Sequence, residues 1–315
     1  GGRDSTIQFL IIALVFFLQL LFFEKMYKYF ILNRFTKVLY LIYWFFYIIV
    51  FVVYITYVLT SWVFPNTPNS VLIAIFLFVC FYASVSRPET AINIGVVLLP
   101  MLVLFILFML RAIPNLHVTN LLPLFQESKE SWMMGLIYAT YAFGGAESFI
   151  MLRKYVLTGE KIKNKVLAAY SIFLTSFYLF SLLFTLMFFA LEEIKLLPEP
   201  ILYILHSQEV TFVKRLDLFF IYIWLSWSLV AIVNYVLMMR LVYFEKKRKS
   251  PKLKLFILFT SIGIISIFLI RFSVLEFFKH YVVYLNIVFT FILPISIIIV
   301  NKIRGRTISE SDASA

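Results

Sequence analysis

The chain is divided into nine long apolar runs by short polar loops, and its Lys and Arg residues crowd into alternate loops. The runs lie near 6–23, 38–64, 71–86, 91–110, 132–152, 166–190, 218–239, 253–270 and 281–300. About 20 apolar residues at ~1.5 Å rise each cross a ~30 Å hydrocarbon core. Most runs reach that length; 71–86 falls short, and 38–64 is long enough to tilt. With 63% hydrophobic and 14% charged residues, a water-soluble fold of 315 residues could not cover its apolar surface. Lipid is therefore the solvent, and the length-per-domain rule for soluble proteins does not apply. A barrel would show ~10-residue strands of alternating polarity; these runs are continuous, so they are helices.

Charge gives the orientation. The loops at 24–37, 87–90, 153–165, 244–254 and 301–306 hold 19 of the 28 basic residues. By the positive-inside rule these face the cytoplasm, which puts Gly1 outside and the C-terminus inside. Topology and attraction to anionic headgroups account for the net charge of +12 without a nucleic acid, and no stretch has the pattern of a nucleic-acid module. The start Gly1-Gly2-Arg3-Asp4 carries neither an initiator Met nor a signal peptide, so a preceding segment is expected.

The residues point away from catalysis. Cys80 stands alone in an apolar run, which excludes a disulfide within the chain and suits a small packed side chain. His117, His206 and His280 lack metal-ligand spacing, so neither a metal nor another cofactor is expected. There is no nucleophile elbow, phosphate-binding Gly loop or paired carboxylate cleft.

The loops differ in kind. Two outer loops are long: 111–131, with Pro114 and Pro123, and 191–217, where 201–209 has the character of a short interfacial helix. The inner stretch 25–37 mixes cations with Tyr27, Phe30, Ile31 and Leu32 and reads as an amphipathic surface segment. The tail 307–315 is Ser- and Ala-rich and acidic, and is expected to be disordered. Asn93, Asn234 and Asn286 fit hydrogen bonds between neighbouring helices, and Pro100 and Pro294 fit kinks. Asp217 fits a helix N-cap or, in a sharper reading, a contact to the outer loop or an ion path.

One run breaks the pattern. In 132–152, Gly144-Gly145 stand near the middle and Glu147 follows. Each glycine weakens a helix by roughly 1 kcal/mol relative to Ala. A carboxylate within the membrane costs at least ~2.5 kcal/mol on insertion scales. A helix that only had to span would carry neither. A discontinuous helix exposes peptide N–H and C=O groups at mid-depth, where they hold a carboxylate or a cation. The functional reading is a site for a small zwitterion or anion at Phe143, Gly144, Gly145, Ala146 and Glu147. The alternative is close helix packing through small residues, with Glu147 snorkelling or paired.

The count is uneven: four runs precede this one, and it opens a set of five. If inverted halves are equal, the mate of the broken helix would lie just before Gly1.

Four stretches resemble the spore germination permeases, the B subunits of germinant receptors in the amino acid–polyamine–organocation superfamily. Gly2-Arg3-Asp4 is similar to the family's Gly-x-Asp-Ala-Trp, with Ser5-Thr6 in place of Ala-Trp. Pro65-Asn66-Thr67-Pro68 resembles its Thr-Pro turn. Asn120-Leu121-Leu122-Pro123 precedes a match to its Phe/Tyr-x-Phe-Gly-Gly-x-Glu element at Tyr141–Glu147. Arg215-Leu216-Asp217 with Ile223-Trp224 resembles the opening of its eighth helix. A Pro often seen after the sixth helix is absent; Arg153-Lys154-Tyr155 stands there.

The resemblance implies an all-α polytopic membrane fold of two inverted five-helix repeats, here without the first helix and so with nine transmembrane helices. One transmembrane domain, 1–306, would hold an incomplete first repeat at 1–115 and a second at 131–303. The missing helix would supply half of the ligand site. The implied role is that of a membrane subunit of a nutrient receptor in the inner membrane of a bacterial spore. It would bind a germinant such as an amino acid, alongside a larger A subunit and a lipoprotein C subunit. Tyr47, Tyr54 and Trp227 would wall the pocket, with Glu147 as polar anchor or proton-coupling group. A proton- or sodium-coupled amino acid transporter is the alternative, and a structural scaffold a third.

Overall fold

Within lipid no water is available to peptide groups, so each crossing segment must close its hydrogen bonds internally. In a computed structural model, residues 2–86, 88–153, 161–208, 215–244, 252–272 and 275–307 are described, and every regular element among them is helical. These are α1 (Ser5–Met26), α2 (Arg34–Trp62), α3 (Asn69–Val85), α4 (Pro88–Leu110), α5 (Lys129–Ala139), α6 (Ala146–Arg153) and α7 (Asn164–Phe188). They continue with α8 (Leu191–Ile194), α9 (Pro200–His206), α10 (Leu216–Phe244), α11 (Lys252–Arg271), α12 (Leu275–Asn286) and α13 (Leu293–Ile303). A 3-10 turn, Thr140–Phe143, follows α5, and a π-helical segment, Ile287–Ile292, joins α12 to α13.

Among the described residues seven helical segments are long and apolar enough to cross a membrane: 2–29, 34–62, 92–110, 164–188, 216–243, 252–271 and 280–303. The short run became α3, of 17 residues, and the glycine-containing run became the pair α5 and α6. The exposed faces are apolar, as lipid requires: Leu14 is 60%, Phe78 69% and Val97 75% exposed. The short helix expected in the second outer loop is α9. Asp217 lies in the first turn of α10 rather than at a cap, where Arg215 holds its carboxylate at 2.7 Å and His206 of α9 approaches to 3.4 Å. Arg87, Lys154, Lys214, Lys246, Lys247, Arg248, Lys249 and the tail from 308 onward lie outside the described residues.

The chain divides into two compact units. The first comprises 1–31, 102–221 and 286–313; the second comprises 32–101 and 222–285, with the last two residues. The core of the first unit forms around α1. Phe9, Ile12, Ala13, Phe16 and Leu20 recur at helical spacing and bury one face against Phe143 and Ala146. In the second unit α11 packs on α2 and α3. Gly263 makes the α3 contact close: a Cβ there would stand 3.2 Å from Leu77. Asn33 caps α2, its side chain accepting from Thr36 N at 2.8 Å. Cys80 is fully buried in α3.

Candidate functional site

The helix does come apart at the glycines. The α-helical bonding of α5 tightens into the 3-10 turn Thr140–Phe143, and the Gly144 N–H turns to the Tyr141 carbonyl at 3.1 Å. Gly144 has ψ 142°, which leaves the helix, and Gly145 has φ +93°, a conformation that suits residues without a Cβ. Helical bonding restarts at Ala146, and Ser148 closes the turn by donating through N and Oγ to the Gly145 carbonyl.

Phe143 anchors the break. Its ring lies between Phe16, at 4.7 Å, and Phe9, at 5.2 Å, both stacked, and its side chain is 1% exposed. Stacked rings of this kind are worth about 0.5–1.5 kcal/mol per pair beyond simple burial. The aromatic immediately before the glycines thus pins the turn to α1.

The polar groups freed by irregular backbone find side-chain partners. With the Gly144 N–H engaged by Tyr141, the Thr140 carbonyl accepts from Asn286 Nδ2 at 3.1 Å. Pro294 has no N–H to return to the carbonyl four residues before it, that of Thr290. Gln19 Nε2, reaching across from α1, donates to that carbonyl at 2.6 Å. Two kinked segments and one amide from α1 therefore meet at Thr290. A buried peptide group without a partner costs about 1–3 kcal/mol, so these amides hold the irregular backbone in place.

Glu147 sits in the first turn of α6 and is fully buried. Its Oε2 lies 2.8 Å from Thr290 Oγ1, which is also 3.0 Å from Asn286 Oδ1. The helix N-terminus favours a negative group at this position. Gly144 makes the cluster possible, since a Cβ there would stand 2.8 Å from Asn286 Oδ1 and 3.2 Å from the Tyr141 carbonyl. Gln19 Oε1 is shielded from solvent and accepts no hydrogen bond among the described residues.

Phe143, Gly144, Gly145, Ala146 and Glu147 thus share the first unit with Gln19, Asn286 and Thr290. Sequence reasoning read Asn286 as a link between helices, which it is, but passed over Gln19 and Thr290. Gln19 carried a signal as an isolated amide in an apolar run. Thr290 offered only its place four residues after Asn286 and four before Pro294. Tyr47, Tyr54 and Trp227 belong to the second unit, where α2 and α10 form an aromatic seam. Tyr47 packs on Tyr235 at 4.7 Å, and Tyr54 meets Trp224 edge-on at 5.8 Å. One turn beyond Trp224, Trp227 keeps a shielded indole N–H without a hydrogen-bond partner among the described residues.

A second buried polar pair lies at the far end of α6. Arg153 donates from Nε and Nη2 to the two oxygens of Glu24 at 2.7 and 2.9 Å, and its guanidinium covers the Tyr27 ring at 4.5 Å. The Ile162 N–H donates to the same carboxylate at 2.9 Å. Neither Glu24 nor this role of Arg153 was legible in the sequence, where both read as members of a charged loop.

The hydroxyl of Thr290 is the shared element of the Glu147 cluster. Thr290→Val keeps the shape and removes the hydroxyl, leaving two buried oxygens with one partner fewer. A destabilisation of about 1–3 kcal/mol is expected in chemical unfolding in detergent. A loss below about 0.5 kcal/mol, the usual range of inconsequential substitutions, would show that the hydroxyl does not bind the cluster together.

Among the described residues, no group of three or more His, Cys, Asp or Glu side chains is placed to hold a metal ion. A family model described as spore germination protein matches residues 6–266. No curated protein and no solved structure matches the chain.

Proposed function

The chain belongs to the spore germination permease family, and on that premise we propose that it is the membrane subunit of a germinant receptor. Its ligand is a small nutrient molecule such as an amino acid. The observation that carries this reading is the fully buried Glu147 carboxyl at the restart of a helix broken by Gly144-Gly145. A membrane segment keeps such a costly arrangement for use. The peptide N–H groups at the start of α6 suit the carboxylate of an amino acid. Glu147 and the unfilled acceptor Gln19 Oε1, joined through Thr290, suit its ammonium.

In the described conformation the cluster is internally bonded, so ligand groups compete with Thr290 and Asn286 for the same atoms. Binding then shifts the population between two helix packings, by no more than the ligand's difference in affinity for them. That shift is the signal passed to an A subunit and a lipoprotein C subunit in the inner spore membrane. The repeats at 1–115 and 131–303 form one transmembrane domain with the C-terminus in the cytoplasm, as the crowding of Lys and Arg in alternate loops supports.

Glu147→Gln tests the assignment. It preserves size and removes the ionisable carboxyl, so the variant should insert normally, lose binding of radiolabelled amino acids from a standard panel, and fail to germinate with them. An unchanged response would end the assignment. A buried carboxyl that meets a hydroxyl also fits the second reading, a proton- or sodium-coupled transporter. Concentrative uptake of the labelled amino acid into vesicles holding this protein alone would favour transport over sensing.

A further inference from the structure

The second unit holds a groove that the nutrient-binding reading does not use. It has a volume of about 400 Å³ and is lined by the first third of α2, the end of α10 and the start of α11. Its walls include Leu41, Phe45, Val236 and Leu258, and among the described residues its charged lining groups are Arg240 and Lys254. Among the described residues no carboxylate lines it. Because those segments line one groove, the start of α2, the end of α10 and the start of α11 share one end of the unit. Arg34, Lys37 and Lys252 belong to that end as well.

The two cations are held differently. Arg240 Nη1 donates to the carbonyls of Ser84 and Ser86 at 2.6 and 3.2 Å, which secures one side of the guanidinium to the end of α3. Lys254 is exposed and sits 5.2 Å above the Tyr243 ring. A greasy trough with one anchored and one exposed positive charge at a helix-bundle end complements one kind of molecule abundant in any bilayer: an acidic head on an acyl chain.

We propose that this groove binds an anionic phospholipid, with its phosphate against Arg240 and Lys254 and an acyl chain along Leu41, Phe45 and Leu258. The orientation proposed above places it in the inner leaflet. The site is independent of Glu147, so the two proposals stand or fall separately.

The test uses the full chain in nanodiscs that contain phosphatidylglycerol and phosphatidylcholine in equal amounts, with native mass spectrometry to read the lipid retained after extraction. At about fivefold per cation, the wild-type protein should prefer phosphatidylglycerol by about 25-fold. Lys254→Gln should lower that to about fivefold, and Arg240→Gln with Lys254→Gln should bring it to parity. Since Arg240 also ties α10 to α3, Leu258→Trp provides a control that fills the groove and keeps both charges; it should lose the retained lipid. Equal retention of the two lipids by the wild-type protein would mean ordinary boundary contact and would overturn the proposal. So would displacement of the lipid by glycerol phosphate as readily as by lysophosphatidylglycerol, because the acyl chain would then contribute nothing.

Discussion

Arg153→Met lowers the stability of the folded protein by about 3–5 kcal/mol, measured by chemical unfolding in detergent. The substitution keeps most of the side chain's volume, so the loss reports charge. Arg153 and Glu24 are each less than 5% exposed and share two hydrogen bonds in a fork. Without the guanidinium, the Glu24 carboxylate keeps only the Ile162 N–H among its described donors and remains shut away from water. A stranded buried charge costs more than the intact pair contributes. The double change Glu24→Leu with Arg153→Met should therefore recover most of the loss, since no charge is left to strand. Single and double variants of equal, small effect would mean that water reaches the pair and screens it.

The second large effect is functional. Gly145→Leu should abolish the germination response while the protein still reaches the membrane, as judged by its presence in the membrane fraction. Gly145 has φ +93°, where a side chain imposes strain of about 1–3 kcal/mol. Leucine also favours helix over glycine by roughly 1 kcal/mol, so both terms push the turn toward a continuous helix. Continuity would return the Thr140 carbonyl to its own helix, release Asn286 and rotate Glu147 away from Thr290. Gly144→Ala should act in the same direction through contact, because its Cβ would collide with Asn286 Oδ1. A normal response from both variants would show that the interruption is not needed for signalling.

How much of this was readable in advance depends on the range of the interaction involved. The interruption of the 132–152 run follows from two neighbouring glycines, a local property of the backbone, and it lies where the sequence places it. The π segment does not follow from Pro294 alone; a proline predicts a kink, but not that Gln19 would serve the Thr290 carbonyl. Asp217 shows the same limit. Its position at a helix start fitted either a cap or a contact to the outer loop, and only the placement of Arg215 and His206 decides for the contact.

By itself, the order of residues determined the solvent, the helical class and the place where one helix must yield, because each depends on hydropathy or backbone preference within a few turns; of the nine runs it offered, seven lie in described helices long and apolar enough to cross. It also carried the short motifs by which the family is recognised. Only the tertiary structure decided that Glu147 meets Thr290, that Gln19 and Asn286 serve freed carbonyls, and that Glu24 and Arg153, from two separate charged stretches, close into a buried pair. Those partners stand more than a hundred residues apart, and which helix faces meet is set by packing, which no local period encodes.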